Sequence, residues 1–300
     1  MLVSGLAVAQ VPAWQATTAA LEEPITPIPP PPAADPAKVR LGERLFNDPR
    51  LSSDNTRTCS SCHDVSFNGA SRVSSPPPAN APPHRRDVLT VFNAALSFRF
   101  SWEGTHRTLE EQVAASLASP NTMRSSPDAA AAKLSLDPLT VAEFRAAYGH
   151  IPDGHSVIDA IATFQRSLLT PDSRFDRWLT GDRAALSAQE VEGYRLFKSL
   201  GCISCHQGVN IGGNLFQRHG IFRPLAGAEP AVLRVPSLRN VAVTPPYFHD
   251  GSAATLEEAV RKMGAAQLNS DLSDSEISSI VAFLHTLTGR YRGHLVGDAG

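Results

Sequence analysis

Every cysteine of this chain belongs to one of two copies of the pattern C-x-x-C-H. The copies end in His63 and His206, and their cysteines are Cys59, Cys62, Cys202 and Cys205. In this pattern the cysteines form thioether bonds to a porphyrin and the histidine ligates its iron, which is the attachment signature of c-type haem. The sequence therefore predicts two covalently bound haem c groups, with His63 and His206 as iron ligands.

Paired cysteines have other uses, and these fit the sequence less well. Zinc ribbons contain C-x-x-C pairs but do not require a histidine directly after each pair. Disulfide frameworks are typical of small secreted domains, whereas this chain has 300 residues and its two motifs use all four cysteines. A zinc site and a redox-active dithiol remain the alternatives to haem.

The composition is that of an ordinary globular protein. Hydrophobic residues make up 42% of the chain and charged residues 19%. The length of 300 residues is enough for about two domains of ordinary size. The formal net charge of −2 gives no indication of binding to nucleic acid or to an anionic membrane surface. No apolar run approaches the ~18 residues that are needed to span a bilayer.

The N-terminal residues 1–34 are predicted to be a signal remnant followed by a proline-rich linker. The stretch Ala7-Val8-Ala9 fits the small-residue cleavage site of an export signal, although no basic residue precedes Lys38. Residues 10–35 have the composition of an extended linker without a packed core. Because c-type haem is attached outside the cytoplasm, we expect a periplasmic protein.

Apolar residues at helical spacing dominate the rest of the chain, so the predicted class is mostly α. Folded structure should begin at Asp35, an N-cap followed by proline. Residues 42–46 (GERLF) and 193–197 (GYRLF) precede the two haem motifs, which indicates a duplicated module in which a helix packs an aromatic side chain against each haem. Further helices are predicted over residues 109–117, 141–148, 157–169, 256–263 and 274–287.

A domain boundary is predicted in the polar segment 171–186, which contains proline and glycine. The N-terminal haem domain would then comprise residues 35–170 and the C-terminal haem domain residues 171–300. Residues 207–246 are rich in glycine and proline and are predicted to be mainly loop.

A series of short motifs runs through the chain. Up to and including the predicted boundary segment they are residues 41–46 (LGERLF), 48–52 (DPRLS), 91–93 (VFN), 102–104 (WEG), 109–112 (LEEQ) and 171–176 (PDSRFD). In the C-terminal half they are residues 235–241 (VPSLRNV), 246–251 (PYFHDG) and 259–264 (AVRKMG). Together with the haem motifs they resemble the bacterial di-haem cytochrome c peroxidases and their MauG-like relatives over residues 37–289. The resemblance implies two cytochrome-c-like haem domains with long loops and little strand, and a calcium ion between them.

The resemblance also assigns roles at the C-terminal haem. Met263 falls where the peroxidases carry the distal methionine of this haem, and a His/Met pair raises the reduction potential, so electrons would enter here. In MauG a tyrosine takes this role. Trp102 matches the family tryptophan between the two haems, where an indole shortens the electron-transfer steps. The structural alternatives are a core methionine and a core tryptophan.

The N-terminal haem, where peroxide would react, departs from the family pattern twice. The distal histidine of the resting peroxidases falls at Ala79, and unless His84 substitutes for it we expect an open coordination position. Thr122 stands where the family has its acid–base glutamate, and a threonine hydroxyl is a poor base. Gln112, the other distal polar residue of the family, is retained. We expect slower peroxide turnover, or proton transfer through water and Gln112.

Three oxygen donors carry over from the family to an inter-domain calcium site. They are the side chain of Asp87, where the family has asparagine, and the backbone carbonyl groups of Thr244 and Pro246. Ligation by oxygen alone, with several waters, suits calcium. The alternative for Asp87 is an ordinary surface residue.

Three functions are compatible with these residues. The first is a peroxidase that takes electrons from a small cytochrome c or cupredoxin at the Met263 haem and reduces hydrogen peroxide at the His63 haem. The second is a MauG-like oxidation of a tryptophan or tyrosine on a partner protein, which an open first iron favours and Met263 disfavours. The third is a non-catalytic di-haem electron carrier. Because the family often dimerises, a homodimer is expected as well.

Overall fold

The computed structural model describes residues 23–70, 86–225 and 231–298. The predictions for the signal remnant, for Ala79 and for His84 lie outside these described residues. Within them the mostly α class is confirmed, because nine α-helices are accompanied by only two short antiparallel hairpins. No helix in this part of the chain is long and apolar enough to cross a membrane.

The elements follow one another along the chain with irregular loops and short 3-10 turns between them. The helices are α1 (Pro36–Phe46), α2 (Leu109–Ala118), α3 (Pro127–Leu134), α4 (Pro138–Tyr148), α5 (Gly154–Ser167), α6 (Arg174–Leu179), α7 (Ala188–Ser199), α8 (Leu256–Leu268) and α9 (Asp274–His285). The strands are β1 (Phe216–Arg218), β2 (Val232–Arg234), β3 (Arg290–Tyr291) and β4 (His294–Leu295). β1 pairs with β2 and β3 with β4.

Side-chain caps explain where the helices begin. The Asp35 carboxylate accepts a hydrogen bond from Ala37 N (2.7 Å), and a proline occupies the first position of α1, as predicted. Neither α3 nor α6 is evident from apolar spacing in the sequence. α6 begins after Ser173, whose hydroxyl accepts a hydrogen bond from Asp176 N (3.0 Å), inside the predicted crossing 171–186.

Each half of the chain is built on two helices that touch through a glycine. α1 packs on α5 in the first half, and α7 packs on α9 in the second. A Cβ atom on Gly42 would lie 2.0 Å from Ala160 O, and one on Gly193 would lie 1.9 Å from Ser279 O. Only glycine therefore permits the two backbones to approach this closely.

An aromatic pair extends each of these helix contacts. The ring centroids of Phe46 and Phe164 lie 5.4 Å apart, and those of Phe197 and Phe283 lie 5.3 Å apart. The two halves thus repeat the same arrangement of helix, glycine and phenylalanine. This repetition confirms the predicted duplicated module.

Two hydrophobic cores follow from these helix pairs. α1 to α5 supply most of the first core, and α6 to α9 supply most of the second. Each core also takes one residue from the opposite end of the chain, because Val296 packs in the first core and Ile25 in the second. The chain therefore crosses between the halves near both of its described ends.

Residues 23–28, here called the N-terminal strap, bind to the second half. Ile25 is 1% exposed within the second core. Arg239 Nη2 donates a hydrogen bond to Thr26 O (2.9 Å), because the extended, proline-rich strap leaves its carbonyl groups free. The prediction that residues 10–35 form a linker without a packed core is wrong for this piece.

A buried polar junction joins the two halves. Asn93 Nδ2 donates a hydrogen bond to Thr170 Oγ1 (2.7 Å), and Asn240 Nδ2 donates to the same oxygen (3.0 Å). Both asparagines have left-handed backbone conformations, with φ values of 58° and 61°, and each begins a short 3-10 turn. Because these buried amides are hydrogen-bonded to one hydroxyl, they hold the two halves in a single register.

Candidate functional site

The first C-x-x-C-H motif lies on the wall of a cavity in the first half, here called the first cavity. Cys59, Cys62 and His63 all line it. His63 Nδ1 lies 3.3 Å from Gly69 O, an arrangement that holds a proton on Nδ1 and leaves Nε2 for a metal ion. The ring of Phe46 lies 6.5 Å from the imidazole ring at an angle of 50°.

The second motif repeats this geometry on the wall of the second cavity. Cys202, Cys205 and His206 all line that cavity. His206 Nδ1 lies 3.4 Å from Ile211 O, and the ring of Phe197 lies 6.3 Å from the imidazole ring at an angle of 52°. The two motifs therefore present the same set of ligands from equivalent places in the duplicated module.

Burial favours the uncharged form of the first cysteine and of the histidine in each motif. It raises the pKa of the Cys59 thiol to about 12 and that of the Cys202 thiol to about 11. It also lowers the pKa of His206 to about 4 and holds the pKa of His63 below its ordinary value. The neutral imidazole is the form that ligates a metal ion. No disulfide joins any of the four cysteines.

The two residues predicted for the distal side of the first haem line the first cavity together. Gln112 and Thr122 share its wall with His63. Gln112 Nε2 donates a hydrogen bond to Ser116 Oγ (3.1 Å), and the Thr122 hydroxyl donates to the Ser116 carbonyl group. Ser116, which was not singled out in the sequence, thus connects them.

Two glutamine oxygens test whether the first cavity suits a haem. Among the described residues, Gln112 Oε1 and Gln165 Oε1 are buried acceptors without a hydrogen-bond partner, and both residues line this cavity. The remaining wall is largely apolar. Such a site fits a flat apolar cofactor that carries a polar ligand on its iron, because the ligand would supply the missing donors. Gln165 lies four residues after Ile161 on α5, and that spacing is the one signal in the sequence that could have indicated it.

The second cavity contains the methionine predicted as an axial ligand. Met263, on α8, lines it together with His206. Met123 lines the first cavity, but its side chain belongs to the first hydrophobic core, whereas Met263 belongs to neither core. The thioether of Met263 is therefore placed in the cavity rather than used for core packing.

The residues predicted for calcium also meet at the second cavity. Asp87, Thr244 and Pro246 all line it. Asp87 N donates a hydrogen bond to His249 O (2.8 Å), which ties the first half to the second at this place. Residues of both halves that carry the predicted oxygen donors thus line one cavity.

The two cavities meet at the boundary between the halves. Trp102 lines the second cavity, whereas the preceding Ser101 lines the first. Trp102 Nε1 donates a hydrogen bond to Asp87 O (2.9 Å), which fixes the indole. Arg234 lines both cavities; sequence reasoning missed it because only its place before the motif 235–241 sets it apart.

Two family models match the chain, one for each half. The model described as di-haem cytochrome c peroxidase matches residues 36–184, and the model described as cytochrome c matches residues 190–288. The two matches together cover both C-x-x-C-H motifs. The halves of this chain are therefore similar to two kinds of haem c domain.

Individual proteins are similar over most of the chain. Cytochrome c551 peroxidase of Nitrosomonas europaea is 39% identical over 295 residues, covering 90% of this chain and 85% of that protein. Methylamine utilization protein MauG of Methylorubrum extorquens is 32% identical over 277 residues, covering 84% of this chain and 78% of that protein. The crystal structure of a MauG-like protein associated with microbial copper homeostasis superposes with a TM-score of 0.73 at 28% identity, covering 87% of this chain and 93% of that one.

Proposed function

Because the chain belongs to the di-haem cytochrome c peroxidase family, we propose that it reduces hydrogen peroxide at its N-terminal haem with electrons delivered through its C-terminal haem. A small redox protein, a cytochrome c or a cupredoxin, would be the donor. Each peroxide would take up two electrons and two protons and leave as two waters.

The difference between the two cavities is the observation that carries this proposal. Each cavity is lined by the histidine of its own C-x-x-C-H motif. The first cavity adds the amide of Gln112 and the hydroxyl of Thr122, whereas the second cavity adds the thioether of Met263. Polar groups around an open position suit a reacting ligand, and a sulfur ligand suits electron transfer. Haem bound at each motif would supply an iron that changes its oxidation state.

In the first cavity the chain's own residues would position peroxide and move protons. Because Gln112 donates through Nε2 to Ser116, its free Oε1 is left to accept a hydrogen bond from the substrate. The Thr122 hydroxyl already donates to Ser116 O, so it can accept a hydrogen bond from a water but supplies no base. Because Thr122 is exposed, we propose that protons come from solvent through water.

Trp102 would shorten the path between the haems. Its indole lines the second cavity and is 9% exposed, and the hydrogen bond from its ring nitrogen to Asp87 O holds its orientation. Since Ser101 lines the first cavity, the two cavities are one residue apart along the backbone. A fixed aromatic ring at such a boundary supports a role in electron transfer.

The finer assignments form part of the same proposal. We infer a peroxidatic domain over residues 35–170 and an electron-transfer domain over residues 171–300, which the two hydrophobic cores support. We infer calcium at Asp87, Thr244 and Pro246, because residues from both halves with these oxygen donors line the same cavity. A periplasmic location and a homodimer stay predictions.

The proposal is tested with purified protein that carries both haems, reduced cytochrome c and hydrogen peroxide. We expect steady-state oxidation of the cytochrome that depends on peroxide. The control is Cys59→Ala, which removes one thioether from the first haem and leaves the second site intact. Turnover no higher than that of the control would contradict the proposal.

Two other outcomes would identify a different function. A change in the mass of a partner protein after peroxide treatment, without cytochrome oxidation, would indicate MauG-like oxidation of its tryptophan or tyrosine. A ferric spectrum with both irons six-coordinate and unaltered by peroxide would indicate an electron carrier.

A further inference from the structure

Two arginines five residues apart are both buried, but within the described part of the chain only one is paired with a carboxylate. Arg239 is 1% exposed and makes an ion pair with Asp176 (Nη1 to Oδ1, 2.7 Å). Its other nitrogens donate to Thr26 O and to Val209 O. The charge and the donors of this guanidinium are therefore satisfied by the chain itself.

Arg234 is 6% exposed and lacks such partners. Its Nε donates to Ser101 O (3.1 Å), and its backbone N donates to Trp102 O (2.9 Å). No carboxylate of the described residues pairs with its guanidinium, and its terminal nitrogens make no hydrogen bond within the same part of the chain. Burial lowers the pKa of Arg234 to about 10, so it is still charged at neutral pH.

The first cavity as a whole is positively charged. Arg234 and Arg99 both line it, and the described residues that line it include no aspartate or glutamate. Arg99 likewise has no ion pair with the part of the chain that the structure describes. Arg234 lines both cavities, but Ser101, whose carbonyl oxygen accepts the hydrogen bond from Arg234 Nε, lines the first cavity and not the second.

Arg234 is buried and Arg99 is partly buried. Because a buried cation without an anion is unfavourable, this cavity favours an anionic ligand. A haem supplies such a ligand, because its porphyrin carries two carboxylate side chains. Guanidinium groups bind carboxylates with paired, charge-assisted hydrogen bonds. We propose that Arg234 and Arg99 form a carboxylate-binding end of the first cavity, which pairs with the propionates of the first haem.

This inference rests on the two haems of the proposed function. Positive charge beside a haem favours the reduced iron, because ferrous iron carries less positive charge than ferric iron. The two arginines would therefore raise the reduction potential of the first haem. Arg234 thereby positions the cofactor and tunes it without touching peroxide.

The test uses the protein with both haems bound and three variants: Arg234→Met, Arg234→Lys and, as control, Arg223→Met. Arg223 lines neither cavity, and its side chain is 53% exposed beside Asp271, so its replacement removes the same charge from the protein surface. Spectroelectrochemical titration resolves the two haems, and thermal unfolding follows stability. Neither readout depends on peroxidase turnover, so failure of this inference is distinguishable from failure of the proposed function.

We expect Arg234→Met to lower the potential of the first haem by more than that of the second, and to lower the unfolding temperature. Arg234→Lys should keep most of the wild-type potential, and Arg223→Met should move neither haem. If Arg234 does not face the first haem, replacing it with an apolar side chain would leave the potential of that haem unchanged and, by removing an unpaired buried charge, raise the unfolding temperature, which overturns the proposal. If Arg234→Met fails to bind the first haem, Arg99→Gln takes its place, and an unchanged potential there also overturns the proposal.

Discussion

Replacing Thr122 with glutamate should make the first cavity a better peroxidase site. The hydroxyl of Thr122 lines this cavity, and a carboxylate in its place could carry the proton between the two peroxide oxygens. A positioned acid–base group contributes about 10²–10⁴-fold to a rate. Because position 122 is exposed, the new carboxylate would keep a pKa near its ordinary value of about 4.3, so we expect the lower end, a gain of about 10²-fold.

The substitution also removes the hydrogen bond from the Thr122 hydroxyl to Ser116 O, which costs about 1 kcal/mol of stability. The assay is kcat/KM for hydrogen peroxide with saturating reduced cytochrome. The control is Thr122→Gln, which has the same length and loses the same bond but has no acid–base group. If Thr122→Glu is no faster than Thr122→Gln while both haem spectra are unchanged, a missing carboxylate is not what limits turnover.

Three further predictions concern the helix contact at Gly42, the N-terminal strap and the calcium site. Gly42→Ala should lower the free energy of unfolding, measured by urea titration, by about 1–3 kcal/mol, because the new Cβ must move about 1 Å away from Ala160 O. The same substitution should disturb the spectrum of the first haem but not that of the second. Ile25→Ala should cost about 2–5 kcal/mol in the same measurement, whereas the exposed Ile221→Ala should cost almost nothing; equal effects would contradict a packed strap. Removing calcium with a chelator should lower the unfolding temperature of the wild-type protein but not that of Asp87→Ala, and metal analysis that finds no calcium in the untreated protein would refute the site.

The parts of the molecule that depend on neighbouring residues could be predicted from sequence. The start of α1 follows from Asp35 and the proline after it, because a cap acts within one turn of a helix. The two haem sites follow from the spacing of C-x-x-C-H, because all the residues of that motif lie within five consecutive positions. The places of Gln112 and Met263 came from a resemblance to a family rather than from physical argument, and the structure puts each of them on the wall of a haem-motif cavity.

The parts that depend on distant contacts could not be predicted. Arg234 and Arg239 lie in one short segment and have the same side chain, yet among the described residues only Arg239 meets a carboxylate, that of Asp176 on α6. Ile25 lies among prolines. Its burial requires the second core, whose other residues lie 150 or more positions later in the chain. Local composition predicts a linker there because it contains no information about that core.

The two halves show where the chemistry of such a protein is decided. The histidine sides are nearly identical: the imidazole rings lie 6.5 Å and 6.3 Å from their phenylalanines, at 50° and 52°, and their Nδ1 atoms lie 3.3 Å and 3.4 Å from a backbone carbonyl oxygen. Equal histidine ligands cannot give two irons different roles. The difference must come from the rest of each cavity, where Gln112, Thr122 and Arg99 line the first and Met263 lines the second. Exchange of these lining residues, rather than of the histidines, should therefore exchange the properties of the two haems.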